Sequence, residues 1–182
     1  MQRSVFIILL LALAAVGAAP SSHPATTQSA QAKIAEFQGE YRFLSNFSPA
    51  EVVYEGITYP TVEHAYQSAK TLEPNERKRI AALKTPAEAK AEGRKLKLRD
   101  DWDAAKFVAM EDCVRYKFTH HDDLREKLLA TGDAILEEGN TWNDRIWGIS
   151  PPGSGQGENR LGQILMKIRG ELRDLKQHLP PN

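Results

Sequence analysis

Glu63, Gln67 and Lys70 fall within the run Tyr59-Pro60-Thr61-Val62-Glu63-His64-Ala65-Tyr66-Gln67-Ser68-Ala69-Lys70. On a helix, residues three, four and seven apart share a face. The spacing therefore sets a carboxylate, an amide and an amine along one stripe, beside an apolar one made by Val62, Ala65, Tyr66 and Ala69. At ~1.5 Å of rise per residue, Glu63 and Lys70 stand about 10 Å apart along the axis. That is too far for a backbone-fixed direct pair and wide enough to bracket a sugar. A lysine so placed can hold an anion as a cation. With its pKa lowered by burial it can instead attack carbon as a neutral amine. Taken alone, Glu63 reads first as an acid that favours a helix N-terminus electrostatically. Taken alone, Lys70 reads as a solvated surface side chain.

A second group of candidates lies far along the chain. Asp144 sits between Trp142 and Trp147. An indole offers a flat face on which a heteroaromatic ring can stack, and a neighbouring carboxylate can orient water or bind a ring edge. The alternative is two core indoles and a loop-capping aspartate. Of the pair, Trp142 reads as the core member and Trp147, directly before Gly148, as the wall of a site. Trp102 is either a second stacking face or packing on an amphipathic helix. Residues 151–157 (PPGSGQG) lead to Asn159 at a helix start, where free backbone N–H groups would suit a phosphate. The loop is no Walker motif, because the Lys-Ser/Thr ending is missing. Ser45 and Asn46 can bond sugar hydroxyls or simply form a turn. Arg94 and Arg160 are reserve phosphate contacts.

The elements that must position these groups are mostly helical. Thr61 is an N-cap for a helix through Lys70. A further helix is expected over 75–83. Thr85-Pro86-Ala87-Glu88 is a capping box that opens another, running to Lys95. Trp102, Ala105, Ala109, Cys113 and Tyr116 predict a long amphipathic helix over 101–118. The last helix starts at Asn159 and buries Leu161, Ile164, Leu165, Ile168 and Leu172. Val52-Val53-Tyr54 and Ile57-Thr58-Tyr59 flank Glu55-Gly56 as a hairpin, and residues 34–37 and 134–138 suit short extended segments. With no repeat and no alternating strand–helix series, the expected class is mainly α with a small β-hairpin and short strands, in one compact domain.

Lys+Arg and Asp+Glu both number 24, and 41% of the 182 residues are hydrophobic. One ordinary core fits that size. The zero formal charge gives no support for stable wrapping of nucleic acid. A single cysteine, Cys113, excludes an intramolecular disulfide and a cysteine-rich zinc site, and no metal site is expected. Residues 1–19 carry a basic start, an apolar run over 4–16 and the small residues Gly17-Ala18-Ala19. That is the pattern of a cleavable secretory signal. The apolar run is shorter than the about 20 residues a bilayer span needs, so an exported protein without a span in its mature form is expected. Residues 20–33 read as a disordered leader, residues 34–178 as the domain and residues 179–182 as a tail.

Three segments together resemble the NADAR (YbiA-like) family. The first is Phe43-Leu44-Ser45-Asn46-Phe47 with the Tyr59 to Lys70 run quoted above. The second is Ala91-Glu92-Gly93-Arg94 with Trp102 downstream. The third is Thr131-Gly132-Asp133, then Trp142-Asn143-Asp144-Arg145-Ile146-Trp147-Gly148 and Gly157-Glu158-Asn159-Arg160-Leu161-Gly162. The resemblance implies a helix-dominated fold and N-glycosidic hydrolysis without a cofactor. The substrates it implies are ribosylamino-pyrimidine phosphates of riboflavin synthesis, or ADP-ribose on guanine. Cleaving a ribose C1–N bond builds positive charge on the sugar, so paired acids are wanted near C1. The resemblance then makes Glu63, Lys70 and Asp144 the catalytic candidates, with Lys70 as a phosphate contact or a Schiff-base nucleophile. Ser45, Asn46, Gln67, Trp102, Trp147, Gly148, Asn159 and Arg160 become the substrate contacts. The competing expectation is a non-catalytic binder of ADP-ribose or a related nucleotide. Oligomeric state is not legible in the sequence.

Overall fold

A computed structural model describes residues 31–178. Residues 1–30 and 179–182, which hold the expected signal, most of the expected leader and the expected tail, fall outside the described residues. Six helices and four short strands follow in chain order: β1 Lys33–Ile34, β2 Val52–Tyr54, β3 Ile57–Tyr59, α1 Val62–Ser68, α2 Pro74–Ala81, α3 Pro86–Gly93, α4 Trp102–His120, α5 Asp122–Ala130, β4 Ile135–Leu136 and α6 Arg160–His178. A 3-10 turn, Gly39–Leu44, precedes the hairpin. Among the described residues no helix is long and apolar enough to cross a membrane.

Helix α1 is the centre of the packing. Thr61 caps it, its hydroxyl accepting from the His64 N–H at 3.3 Å. All seven residues of α1 are buried, including Glu63, His64, Gln67 and Ser68. Helices α2, α3 and α4 and the β2–β3 hairpin surround it. The helix stops before Lys70, whose N–H turns back to the Gln67 carbonyl at 3.3 Å. Lys70 therefore lies in the turn after α1 and not on its stripe. Glu73, ahead of Pro74, is the extended N-cap from which α2 begins, the geometry that a residue before proline favours. The Thr85–Glu88 capping box forms with both reciprocal bonds. Helices α4 and α6 present the apolar faces that their periodicity predicts, and both face the same core.

Two pairings close the ends of the domain. Strands β2 and β3 form the expected antiparallel hairpin, with Val52 opposite Tyr59. Strands β1 and β4 pair in parallel, Lys33 with Ile135 and Ile34 with Leu136. Lys33 is thus part of the sheet, and its ammonium meets the Glu137 carboxylate at 2.8 Å.

Lys117 of α4 is 1% exposed. Its amine donates to the carbonyls of Phe43 at 2.6 Å and Ser45 at 3.0 Å, clamping the segment after the 3-10 turn onto α4. Burial, with the Arg42 charge adding, pushes its pKa down to about 7. A neutral amine has two N–H donors, matching the two carbonyls. The folded pKa lies below the unfolded one, so this stabilisation is full above the unfolded lysine range and is lost as pH falls through about 7. In urea unfolding, wild-type protein should gain stability over Lys117→Met as pH rises from 7 to 9. A gap that does not change with pH would contradict this.

Gly93 lets α3 lie against α1. A Cβ there would sit 2.0 Å from Gln67 Oε1 and 2.8 Å from Gln67 Cβ. Because the nearer stem atom cannot swing away, Gly93→Ala should destabilise by about 1–3 kcal/mol, the usual cost of overpacking. Denaturant midpoints measure it, and an unchanged midpoint would mean that α3 shifts freely.

Candidate active site

One cavity of about 680 Å³ opens beside α1. The Glu63 carboxylate reaches it from a buried position, its Oε1 accepting from Gln67 Nε2 at 2.8 Å. Burial raises the Glu63 pKa; the Gln67 bond and the charges of Lys90 and Lys70 oppose the rise. The first N–H groups of α1 are also met from outside the helix, since the Glu63 N–H donates to the Asn46 carbonyl at 3.1 Å. The Phe43-Leu44-Ser45-Asn46-Phe47 segment is thereby fixed to α1 as well as to α4. Ser45 and Asn46 both line the cavity. The Ser45 hydroxyl accepts from the Phe47 N–H at 3.2 Å, so it shapes the turn too. The Asn46 amide donates to the Met110 sulfur at 3.3 Å, while its Oδ1 is buried without a partner.

Lys70 lines the same cavity and donates to the Gly93 carbonyl at 3.3 Å. Burial lowers its pKa and the Glu63 charge opposes that. Arg94 follows Gly93, so two cations from the ends of α1 and α3 stand at one side.

The opposite wall is the loop after β4. Asn140 organises it: its Oδ1 accepts from the Asp144 N–H at 3.0 Å and its amide donates to the Asp144 carbonyl at 2.8 Å. Asp144 lines the cavity and also caps the loop, its Oδ1 accepting from the N–H groups of Ile146 at 3.2 Å and Trp147 at 2.9 Å. The loop-capping reading of Asp144 therefore holds, and the residue also lies at the cavity. Glu138, unnoticed in the sequence, adds a third carboxyl. Burial, then the Asp144 charge, pushes its pKa up to about 8, and Lys90 opposes. A carboxyl so raised holds its proton to higher pH than an ordinary surface acid.

Glu63, Gln67, Lys70, Asp144, Ser45, Asn46 and Trp147 thus share one cavity. Trp102, Gly148, Asn159 and Arg160 lie outside its lining. Trp102 is buried against Tyr66 at 5.4 Å. Gly148 is needed for backbone packing, because a Cβ there would fall 2.1 Å from the Glu138 carbonyl. The Asn159 side chain bridges the Glu138 N–H at 3.1 Å and the Leu136 carbonyl at 2.8 Å. Arg160 pairs with Glu158 at 2.7 Å and lies over Phe107. The N–H groups of residues 158–161 are taken by the carbonyls of Arg145, Gly148, Ile146 and Trp147, so the expected phosphate cradle at this helix start is not open. Trp142, expected in the core, is 60% exposed at the cavity. The loop carrying it is held by polar bonds, and the core beneath is already filled by Trp147 packing on Tyr66 and Phe107.

Arg42, Phe47, Tyr66, Lys90 and Glu138 also line the cavity and were not expected there from the sequence. Lys90 precedes Arg94 by four residues on α3, a helical spacing that could have linked it to the reserve contact. Glu138 had only its place in an acidic pair ahead of the Trp142–Gly148 stretch.

Residues 32–173 match the profile of the NADAR domain. N-glycosidase YbiA of Escherichia coli (strain K12) is 39% identical over 135 residues, covering 73% of this chain and 82% of that protein. The NMR structure of E. coli YbiA superposes with a TM-score of 0.73 at 36% identity, covering 84% of this chain and 92% of that one. An N-glycosidase of Nostoc punctiforme is 41% identical over 140 residues, covering 74% of this chain and 88% of that protein. A riboflavin biosynthesis protein of Vibrio vulnificus is 35% identical over 142 residues, 77% of this chain but 37% of that longer protein. The helix-dominated fold is shared with E. coli YbiA, and the chain belongs to the NADAR domain family.

Proposed function

We propose that this chain is an N-glycosidase that hydrolyses the C1–N bond of a phosphorylated N-riboside. One observation carries the reading: the buried Glu63 and the half-buried Glu138, carboxyls with unlike surroundings, share a cavity with the Lys70 and Arg94 cations. The Gln67 bond and the Lys90 and Lys70 charges favour the ionised form of Glu63, while the Asp144 charge adds to burial in favouring the protonated form of Glu138, so the two acids can divide the roles of carboxylate and proton donor. A module that merely held an anionic nucleotide would lose affinity from those acids. The names of the relatives support the hydrolytic reading, and a ribosylamino-pyrimidine phosphate is the substrate it favours over ADP-ribosylated guanine, in line with the Vibrio relative's name.

The roles follow from the surroundings. Lys70 and Arg94 hold the phosphate. Glu138 donates its proton to the leaving nitrogen as the C1–N bond breaks and the bonding pair goes to the base. Ionised Glu63, oriented by Gln67, faces the positive charge that forms on C1. A water oxygen then adds to C1 and gives its proton to Glu63. The products are the free base and a sugar phosphate with a C1 hydroxyl; Glu63 then releases its proton to solvent and Glu138 takes one up, which restores both acids. Asp144 holds the loop that brings Trp147 and Glu138 to the cavity. Residues 1–19 act in this reading as a cleaved export signal, and the substrate is then one met outside the cytoplasm. N-terminal sequencing of the native protein should begin near residue 20; a chain retaining Met1 would end the export proposal.

Incubation with a ribosylamino-pyrimidine phosphate should release free base and sugar phosphate, detected by mass spectrometry. Recovery of intact substrate from it and from a panel of other N-riboside phosphates would overturn the reading. Activity needs Glu138 protonated, so the rate should fall as pH rises through about 8. It also needs Glu63 ionised, and burial sets that acidic limb above the ordinary carboxylate range. Glu138→Gln should lower kcat by roughly 10²–10⁴-fold, the span of general acid catalysis, and remove the basic limb. Glu63→Gln keeps an acceptor for Gln67 and should fold while losing turnover. Wild-type rates in either variant would refute its assigned role.

A further inference from the structure

Two indoles line the cavity, and their surroundings differ. Trp147 is half-buried and its ring is engaged, with Tyr66 edge-on at 5.4 Å and Phe107 at 5.6 Å. Its N–H and carbonyl are both bonded, to Asp144 and to the Leu161 N–H. Trp142 is 60% exposed, and the Lys90 ammonium lies 5.8 Å from its ring centroid. The same ammonium lies 5.5 Å from the Phe47 centroid. One lysine of α3 therefore stands within cation–π reach of two rings. One ring follows the 3-10 turn and the other comes from the loop after β4.

The exposure of Trp142 is imposed by its loop. The next residue, Asn143, has φ 63°, a left-handed turn geometry that asparagine adopts more readily than most non-glycine residues. The Asn140 side chain fixes the turn around it from both sides. An indole kept largely in water at the rim of a cavity leaves apolar area uncovered, which a planar ligand would cover.

We propose that Phe47 and Trp142 form the two walls of a slot for the leaving heteroaromatic base, with Lys90 at the edge of that slot. The proposal rests on the N-riboside reading above and names the groups that recognise the base. A planar base stacks on either ring whatever its sequence of substituents. On its entry the Lys90 ammonium moves from between the rings to the base edge. An ammonium has three donors and no acceptor, so the edge that meets it carries an oxo oxygen or an unprotonated ring nitrogen. The slot adjoins the acids, since the Lys90 charge acts on both Glu63 and Glu138. Trp147, the stacking face expected from sequence, is in this arrangement a packed support.

Two probes separate base from sugar phosphate: inosine 5′-monophosphate, which carries an oxo base, and ribose 5-phosphate, which carries none. Calorimetric titration of wild-type protein, Trp142→Ala and Trp142→Phe should show nucleotide binding weakened roughly 5- to 100-fold in Trp142→Ala, the range that stacking supplies. Trp142→Phe should retain most of the affinity, and ribose 5-phosphate should bind all three alike. Nucleotide should quench tryptophan emission in wild-type protein and much less in Trp142→Phe. Equal nucleotide affinity in wild type and Trp142→Ala overturns the slot, as does a wild-type protein that binds no nucleotide. Base release from N-riboside phosphates, measured in parallel, keeps the two readings apart. Release with a Trp142-independent affinity removes the slot and leaves the glycosidase. Trp142-dependent binding with no release from any N-riboside phosphate removes the glycosidase and leaves the slot.

Discussion

The carboxylate of Glu63 sits on a helix that is buried on every side, and the surrounding architecture follows from that constraint. An ionised carboxylate taken from water costs several kcal/mol (about 3–5 when a partner is missing) unless donors or cations meet it. The Gln67 amide supplies one donor from the next turn of α1. The cavity supplies the rest, because it admits solvent or substrate and brings the Lys90 and Lys70 charges close enough to act. A fully packed interior would have left Glu63 with a single N–H. The opening beside α1 is in this sense part of what allows α1 to be buried at all.

The walls of that opening come from distant stretches of chain brought together by a few specific contacts. The parallel β1–β4 pair joins residues about a hundred apart, and each strand runs on into cavity-lining chain. Phe37 to Arg42 continue from β1, and Glu138 follows β4. The segment carrying Ser45, Asn46 and Phe47 has no regular strand or α-helix of its own. It is held by the Lys117 amine on its carbonyls and by the Asn46 carbonyl on α1. These are polar contacts in dry surroundings, which fix geometry more sharply than apolar contacts, because an unpaired alternative leaves buried donors unsatisfied.

The sequence made the helices legible because their signals are local. The capping box at Thr85, the apolar faces of α4 and α6 and the Glu55-Gly56 hairpin each lie within one element and appear where expected. Positions that depend on pairing across the chain were harder. Lys33 belongs to β1 only because Ile135 lies opposite, and nothing near Lys33 announces that. Lys117 falls four residues after Cys113, on the buried stripe of α4, yet no local signal names the distant carbonyls that hold it there. The site shows the same division. Glu63, Gln67, Lys70 and Asp144 stand in runs whose resemblance to a family was visible. Glu138 and Lys90 become site residues only through convergence in space. Gly148, Asn159 and Arg160 carry the same resemblance, but they build the loop and close the start of α6 instead of lining the cavity. A motif marks residues that must be kept, and backbone packing is as strong a reason to keep them as chemistry.

Charge is divided within the cavity in a way that suits a reaction more than a resting ligand. Lys70 and Arg94 stand together where α1 and α3 end, while the three carboxyls approach from α1 and the loop after β4. A substrate that is negative at its phosphate and becomes positive at C1 only in the transition state matches this division. In the proposed reaction, Glu138 carries its proton and Glu63 turns a negative charge toward a neutral sugar before the bond breaks. As the bond stretches, that charge faces a growing positive one in surroundings that water screens poorly. The interaction is stronger in the transition state than in the bound substrate, and only such a difference accelerates the chemical step. The burial that makes Glu63 expensive to keep ionised is therefore also what makes its charge effective once C1 becomes positive.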